Sequence, residues 1–136
     1  MRIIGVDFGD SRTGVAVSDY LGFTAQGLDT LKEKNTLRIV EHLIRVAAFY
    51  GASEFVVGLP KNMNGTIGER GKKTKKFAEE LSERSGLPVT LWDERLSSVS
   101  AHNTLSEGNV RGQKRKDSVD RIAAVLILQG YLESKR

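Results

Sequence analysis

Residues 2–8, Arg2-Ile3-Ile4-Gly5-Val6-Asp7-Phe8, and residues 13–19, Thr13-Gly14-Val15-Ala16-Val17-Ser18-Asp19, decide the reading of this chain. Both are short runs rich in β-branched residues, and Gly9-Asp10-Ser11 between them is a turn signal. Together they read as an antiparallel hairpin. Downstream, residues 23–30 fit a third, weaker strand. Residues 36–50 place Leu37, Val40, Leu43, Ile44 and Ala47 on one helical face, with Asn35 able to cap the start and Gly51 placed just past the end. Residues 54–60 form a short continuous apolar run that suits a strand buried on both faces. After a polar loop at 61–65, a long helix is expected over 66–85, with Phe77, Ala78 and Leu81 inward. A strand at 88–92 runs into Asp93-Glu94-Arg95. A helix over 97–107, a mobile loop over 108–116 and a last helix over 117–133 complete the order. In that last helix Val119, Ile122, Ala123, Leu126 and Ile127 face inward.

A leading meander followed by α/β crossovers predicts an α/β fold with a mixed sheet and helices on both faces. The 136 residues suit one domain over 1–136, long enough to bury a core. The absence of cysteine excludes disulfides, thiolate zinc sites and cysteine nucleophiles. The opening apolar run is too short for a signal peptide, and no stretch approaches the ~20 apolar residues that span a bilayer. A cytoplasmic protein without a membrane partner is expected.

The formal net charge of +4 is unevenly distributed. Residues 69–76 and 111–116 hold nine basic residues and one acid. The other 122 residues hold 12 basic and 16 acidic groups, a net of −4. Two basic stretches on an acidic body point to an anionic partner, with nucleic acid the first candidate. Each run taken singly also fits a solvated helix or loop surface.

Three acidic positions stand where chemistry is expected. Asp7 lies near the carboxyl end of the first strand, and Asp93-Glu94 at that of the last; active sites of open α/β sheets gather at such ends. Asp117 and Asp120 share a face at the opening of the last helix, and Ala123 and Ala124 let that helix approach the sheet. Each position has a plainer reading. Asp7 can begin a glycine turn, Asp93 or Glu94 can pair with Arg95, and Asp117 can cap the helix. Taken together they converge on one sheet edge, where unpaired carboxylates repel each other unless cations neutralise them. Hard oxygen donors suit Mg²⁺ or Mn²⁺, and two such ions can cleave a phosphodiester.

Four segments carry a resemblance. They are Asp7-x-Gly9-x-x-Arg12-x-Gly14-Val15-Ala16-Val17-Ser18-Asp19; Gly58-Leu59-Pro60 with Asn62-x-x-Gly65; Asp93-Glu94-Arg95; and Val119-Asp120-x-x-Ala123-Ala124. In this order they resemble the YqgF family of pre-16S rRNA nucleases, also described as RuvC-like Holliday junction resolvases. The resemblance implies an RNase H-like fold with a five-stranded mixed sheet. It implies a metal-dependent nuclease that matures the 5′ end of 16S rRNA or, by analogy, acts on branched DNA. Asp7, Glu94 and Asp120 would be the metal ligands and catalytic acids, with Asp117 a further acid and Gly58-Leu59-Pro60 lining the site. Leu96-Ser97-Ser98 departs from the Thr pair more usual in the family but keeps the hydroxyl.

Candidate phosphate contacts are Arg12, Arg95, Arg111, Lys114, Arg115 and Lys116, with Lys72 and Lys73 on the other basic run. Arg12 and Arg95 equally suit pairing with Asp10 and Asp93. His42 and His102 read as structural or surface residues, and Trp92 and Met63 as packing residues. The protein could be a monomer or a homodimer. Two other function classes fit the same residues: a nucleic-acid-binding assembly factor without turnover, and a lobe of an actin-like ATPase, whose second lobe this length does not supply.

Overall fold

A computed structural model describes residues 1–94 and 112–135, with the helical backbone alone over 112–120. The elements run β1 (Arg2–Asp7), β2 (Arg12–Ser18), β3 (Ala25–Gly27), β4 (Leu31–Lys32), α1 (Thr36–Tyr50), β5 (Ala52–Leu59), α2 (Glu69–Ser85), β6 (Val89–Asp93) and α3 (Gly112–Ser134). The expected hairpin is present: β1 and β2 are antiparallel, with Val6 opposite Val15 and Asp7 opposite Gly14. On its other edge β1 pairs in parallel with β5, and β5 in parallel with β6. The strand order is β3-β2-β1-β5-β6, with β4 also on β2. Among the described residues the sheet thus has six strands rather than the five expected, the sixth being the two-residue β4 on β2. No helix among the described residues is long and apolar enough to cross a membrane.

Both faces of the sheet are covered, which is why β1 and β5 read as continuous apolar runs. Ile4, Val6, Phe55 and Val57 are buried against α1 and α2. Ile3, Ala16 and Val56 are buried against Ala124, Ile127 and Leu128 of α3. The approach of α3 depends on Gly5. A Cβ built there would stand 2.7 Å from the Leu128 Cβ and 3.1 Å from the Ala124 carbonyl oxygen.

Several sequence expectations need correction. The third strand does not run over 23–30: it covers Ala25–Gly27, with β4 a separate piece at Leu31–Lys32. It starts late because the Asp19 carboxylate accepts from the Phe23 and Thr24 amides at 2.8 and 3.3 Å and holds them in a turn. Helix α2 begins at Glu69 rather than 66. Its would-be first residue, Thr66, is held in the preceding loop, where Asn62 donates to its carbonyl and Asn64 accepts from its amide. In α1 the caps Asn35 and Gly51 act as expected. Ile39 is buried and Leu37 is exposed, however, since Leu37 lies ~100° round the helix from the centre of the buried stripe. In α3 the stripe is Ala123, Ala124, Ile127, Leu128, Tyr131 and Leu132, while Ile122 and Leu126 sit on its flanks.

Residues 112–116 are helical rather than loop. Gln113-Lys114-Arg115-Lys116 are all good helix formers, and they outweigh the single Gly112. Asp117 is therefore inside the helix and not its N-cap. Met63 is almost fully exposed and packs into no core, whereas Trp92 packs as expected, against Gly130 and edge-on to Tyr131. The helix expected over 97–107, the loop at 108–111, Arg95, His102 and Arg111 lie outside the described residues.

Candidate active site

The parallel pairing of β1, β5 and β6 brings their carboxyl ends together. Side chains alternate across each strand. Gly5 meets α3, so Asp7, two residues on, faces the same side. Trp92 also meets α3, and Glu94 follows it with the same parity. Gly58 of β5 lies between the two acids. A Cβ there would collide with the Ile127 side chain and stand 3.7 Å from the Glu94 carboxyl carbon. Glycine leaves the space in which the two acids meet.

Asp7 and Glu94 are hydrogen-bonded through their carboxyl groups. Burial raises the pKa of Glu94 above its ordinary value; the bond to Asp7 and the positive charge of Arg70 pull it back down only in part. Two carboxylates in such contact repel each other unless a cation neutralises them. The half-buried pair is a ready set of hard oxygen donors. Among the described residues there is no group of three or more potential metal ligands.

A third acid is placed by the path of α3. Position 120 lies one turn before Ala124, whose carbonyl approaches Gly5, and two turns before Ile127, at nearly the same azimuth. Position 117 lies two turns before Ala124 on the same stripe. The helical backbone thus sets both positions at the azimuth of Ala124 and Ile127.

Arg70 is the residue that the sequence reading missed. From the first turn of α2 it donates through Nη2 to the Phe8 carbonyl and through Nη1 to Asp10 Oδ2, both at 3.1 Å. It thus ties down the turn that follows Asp7 while its charge acts on Glu94. Within the run 69–76 it looked like one more solvated cation. Its place at the start of a helix following a buried parallel strand was the available signal. Asp10, the expected partner of Arg12, is engaged by Arg70. Arg12 opens β2 beyond Gly14, at the same end of the sheet. Lys72 and Lys73 are exposed on the first turns of α2. Lys114, Arg115 and Lys116 occupy the first turns of α3.

The family model described as "RuvX: Holliday junction resolvase" matches residues 1–134. This chain belongs to that family. A "Putative pre-16S rRNA nuclease" of Lachnospira eligens is 51% identical over 139 residues, covering 100% of this chain and 99% of the relative. Proteins of the same name from Bacillus cytotoxicus and Clostridium novyi are 50% and 48% identical. Their matches cover 99% and 98% of this chain, and 100% and 99% of the relatives. Among solved structures, Thermus thermophilus RuvC in complex with a Holliday junction substrate superposes with a TM-score of 0.61 at 14% identity, covering 99% of this chain and 95% of that one. The fowlpox virus resolvase with its Holliday junction DNA gives 0.57 at 17%, covering 99% of each chain. These likenesses bear out the RNase H-like α/β fold expected of RuvX chains.

Proposed function

We propose that this RuvX protein is a divalent-metal-dependent nuclease of the cytoplasm that hydrolyses phosphodiester bonds in structured nucleic acid, with the 5′ end of precursor 16S rRNA as its substrate. The observation that carries the reading is the hydrogen-bonded Asp7–Glu94 pair at adjoining strand ends, beneath the stripe of α3 that holds Asp120. The names of the full-length relatives support the RNA substrate.

The donor set fits Mg²⁺ or Mn²⁺, since Asp7 and Glu94 offer only oxygen. Asp7, Glu94 and Asp120 would hold the ions, two in number, with Asp117 as a further acid. When bound, the ions supply an activated water and stabilise the leaving oxygen. The protein's own groups do the rest. Arg70 fixes the turn that carries Asp7. Arg12, Arg95, Arg111, Lys114, Arg115 and Lys116, with Lys72 and Lys73, bind flanking phosphates and offset the repulsion between the acids and a polyanion.

A second reading, cleavage of branched DNA, is favoured by the family's description and by the resolvase-like fold. A two-fold junction would require two copies of the chain, whereas a single RNA cut needs one. Incubation with a precursor 16S rRNA fragment and with a four-way DNA junction, each with Mn²⁺, separates the readings. Preferential RNA cutting is expected; exclusive cutting of the junction overturns the RNA assignment.

A further inference from the structure

The acid pair faces α3, yet the residue after Asp7 faces the other way. Phe8 lies on the α1/α2 side, stacked on Phe77 of α2 with ring centroids 4.1 Å apart and planes 5° from parallel. Over this pair opens a groove of about 570 Å³ between the start of α1 and the face of α2. That volume falls in the range of small-molecule sites, roughly 300–1,000 Å³.

Three exposed lysines from two separate elements converge on the groove: Lys34 just before α1, and Lys73 and Lys76 on α2. Its two carboxylates are already engaged from outside it, Asp10 by Arg70 at 3.1 Å and Glu80 by Arg84 at 3.3 Å. Among the described residues none of the three ammonium groups has a carboxylate partner. An aromatic floor beneath uncompensated cations is the combination by which proteins hold single-stranded nucleic acid: charge tracks the backbone and a ring face takes the sugar or base. Consecutive residues, Asp7 and Phe8, join this groove to the acid pair, and Arg70 stands at the divide.

We propose that this groove binds the single-stranded flank of the substrate, Lys34, Lys73 and Lys76 holding its phosphates while a sugar or base lies against Phe8. The proposal rests on the nuclease reading and adds to it the form of the substrate: a structured region with an unpaired extension next to the cut.

The test uses Asp7→Asn protein, which can bind without cutting, and an RNA hairpin with or without an unpaired flank of about ten nucleotides. With native lysines the flank should tighten binding. In the Lys34→Gln/Lys76→Gln protein the gain from the flank should fall on the order of tenfold, and the salt slope by roughly 1 to 1.5, because each single-strand phosphate contact contributes about 0.7. Lys→Arg at both positions should restore the gain. A flank-dependent gain unchanged by the Gln substitutions overturns the groove while leaving the nuclease reading intact. Failure of native protein to cut or bind any of these RNAs overturns the nuclease reading itself.

Discussion

Asp7 and Glu94, 87 positions apart in the chain, are hydrogen-bonded across the space left by Gly58. Their strands never touch: β5 separates them. The contact exists because two parallel crossovers set three carboxyl ends side by side and the middle strand contributes no side chain at that level. Asp7→Asn and Glu94→Gln should each reduce cleavage by more than about a hundredfold, since even the outer-shell partners of metal ligands cost up to that much. Single-turnover rates on a precursor rRNA fragment check this, and retained activity in either variant removes that residue from the mechanism.

Glu94 also costs stability. Its pKa in the folded chain is raised above 4.5, so ionisation is less favourable folded than unfolded. The penalty is absent below about pH 4.5, where both states hold the proton, and is fully present once the pH exceeds the folded pKa. In EDTA, Glu94→Gln should therefore be more stable than the native chain at neutral pH. The advantage should vanish towards pH 4. Denaturant unfolding at the two pH values reads both halves, and a variant that is less stable at pH 7 contradicts the burial account.

Gly5 sets the distance between α3 and the sheet. Gly5→Ala would drive a Cβ into Leu128 and the Ala124 carbonyl, both on a helix that cannot yield locally. A loss of about 2–3 kcal/mol is expected, at the upper end for overpacking. Cleavage should fall as well, because position 120 rides on the displaced helix. Thermal unfolding paired with activity measured well below the transition separates the two effects.

Arg70 spans two acceptors with one planar fork. Lysine cannot reproduce that geometry. Arg70→Lys and Arg70→Ala should both slow cleavage by on the order of tenfold, through misplacement of Asp7. Either should change stability by less than about 1 kcal/mol, because the ion pair is exposed. A Lys variant with native kcat would show that charge alone suffices.

Much of this was legible in the sequence because the signals were local. The hairpin, the buried strand ending at Leu59 and the caps of α1 follow from periodicity and turn chemistry. Asp7 stood out as an acid ending an apolar strand, whereas Glu94 was singled out from its neighbour Asp93 only by the family resemblance. What escaped depended on distant partners. The late start of β3 arises from the Asp19 side chain taking the Phe23 and Thr24 amides that a strand would have used. Arg70 was hidden in a charge run, and its target is a carbonyl 62 positions earlier in the chain. Lys34 stands alone before a helix, and only the tertiary fold sets it opposite Lys73 and Lys76.

The central claim is that the Asp7–Glu94 pair holds divalent metal. Calorimetric titration of Mn²⁺ into the native chain and into Asp7→Asn at neutral pH tests it most directly. The native chain should bind Mn²⁺, and Asp7→Asn should lose that binding. Equal Mn²⁺ binding by the two proteins, or none by the native chain, would contradict the account.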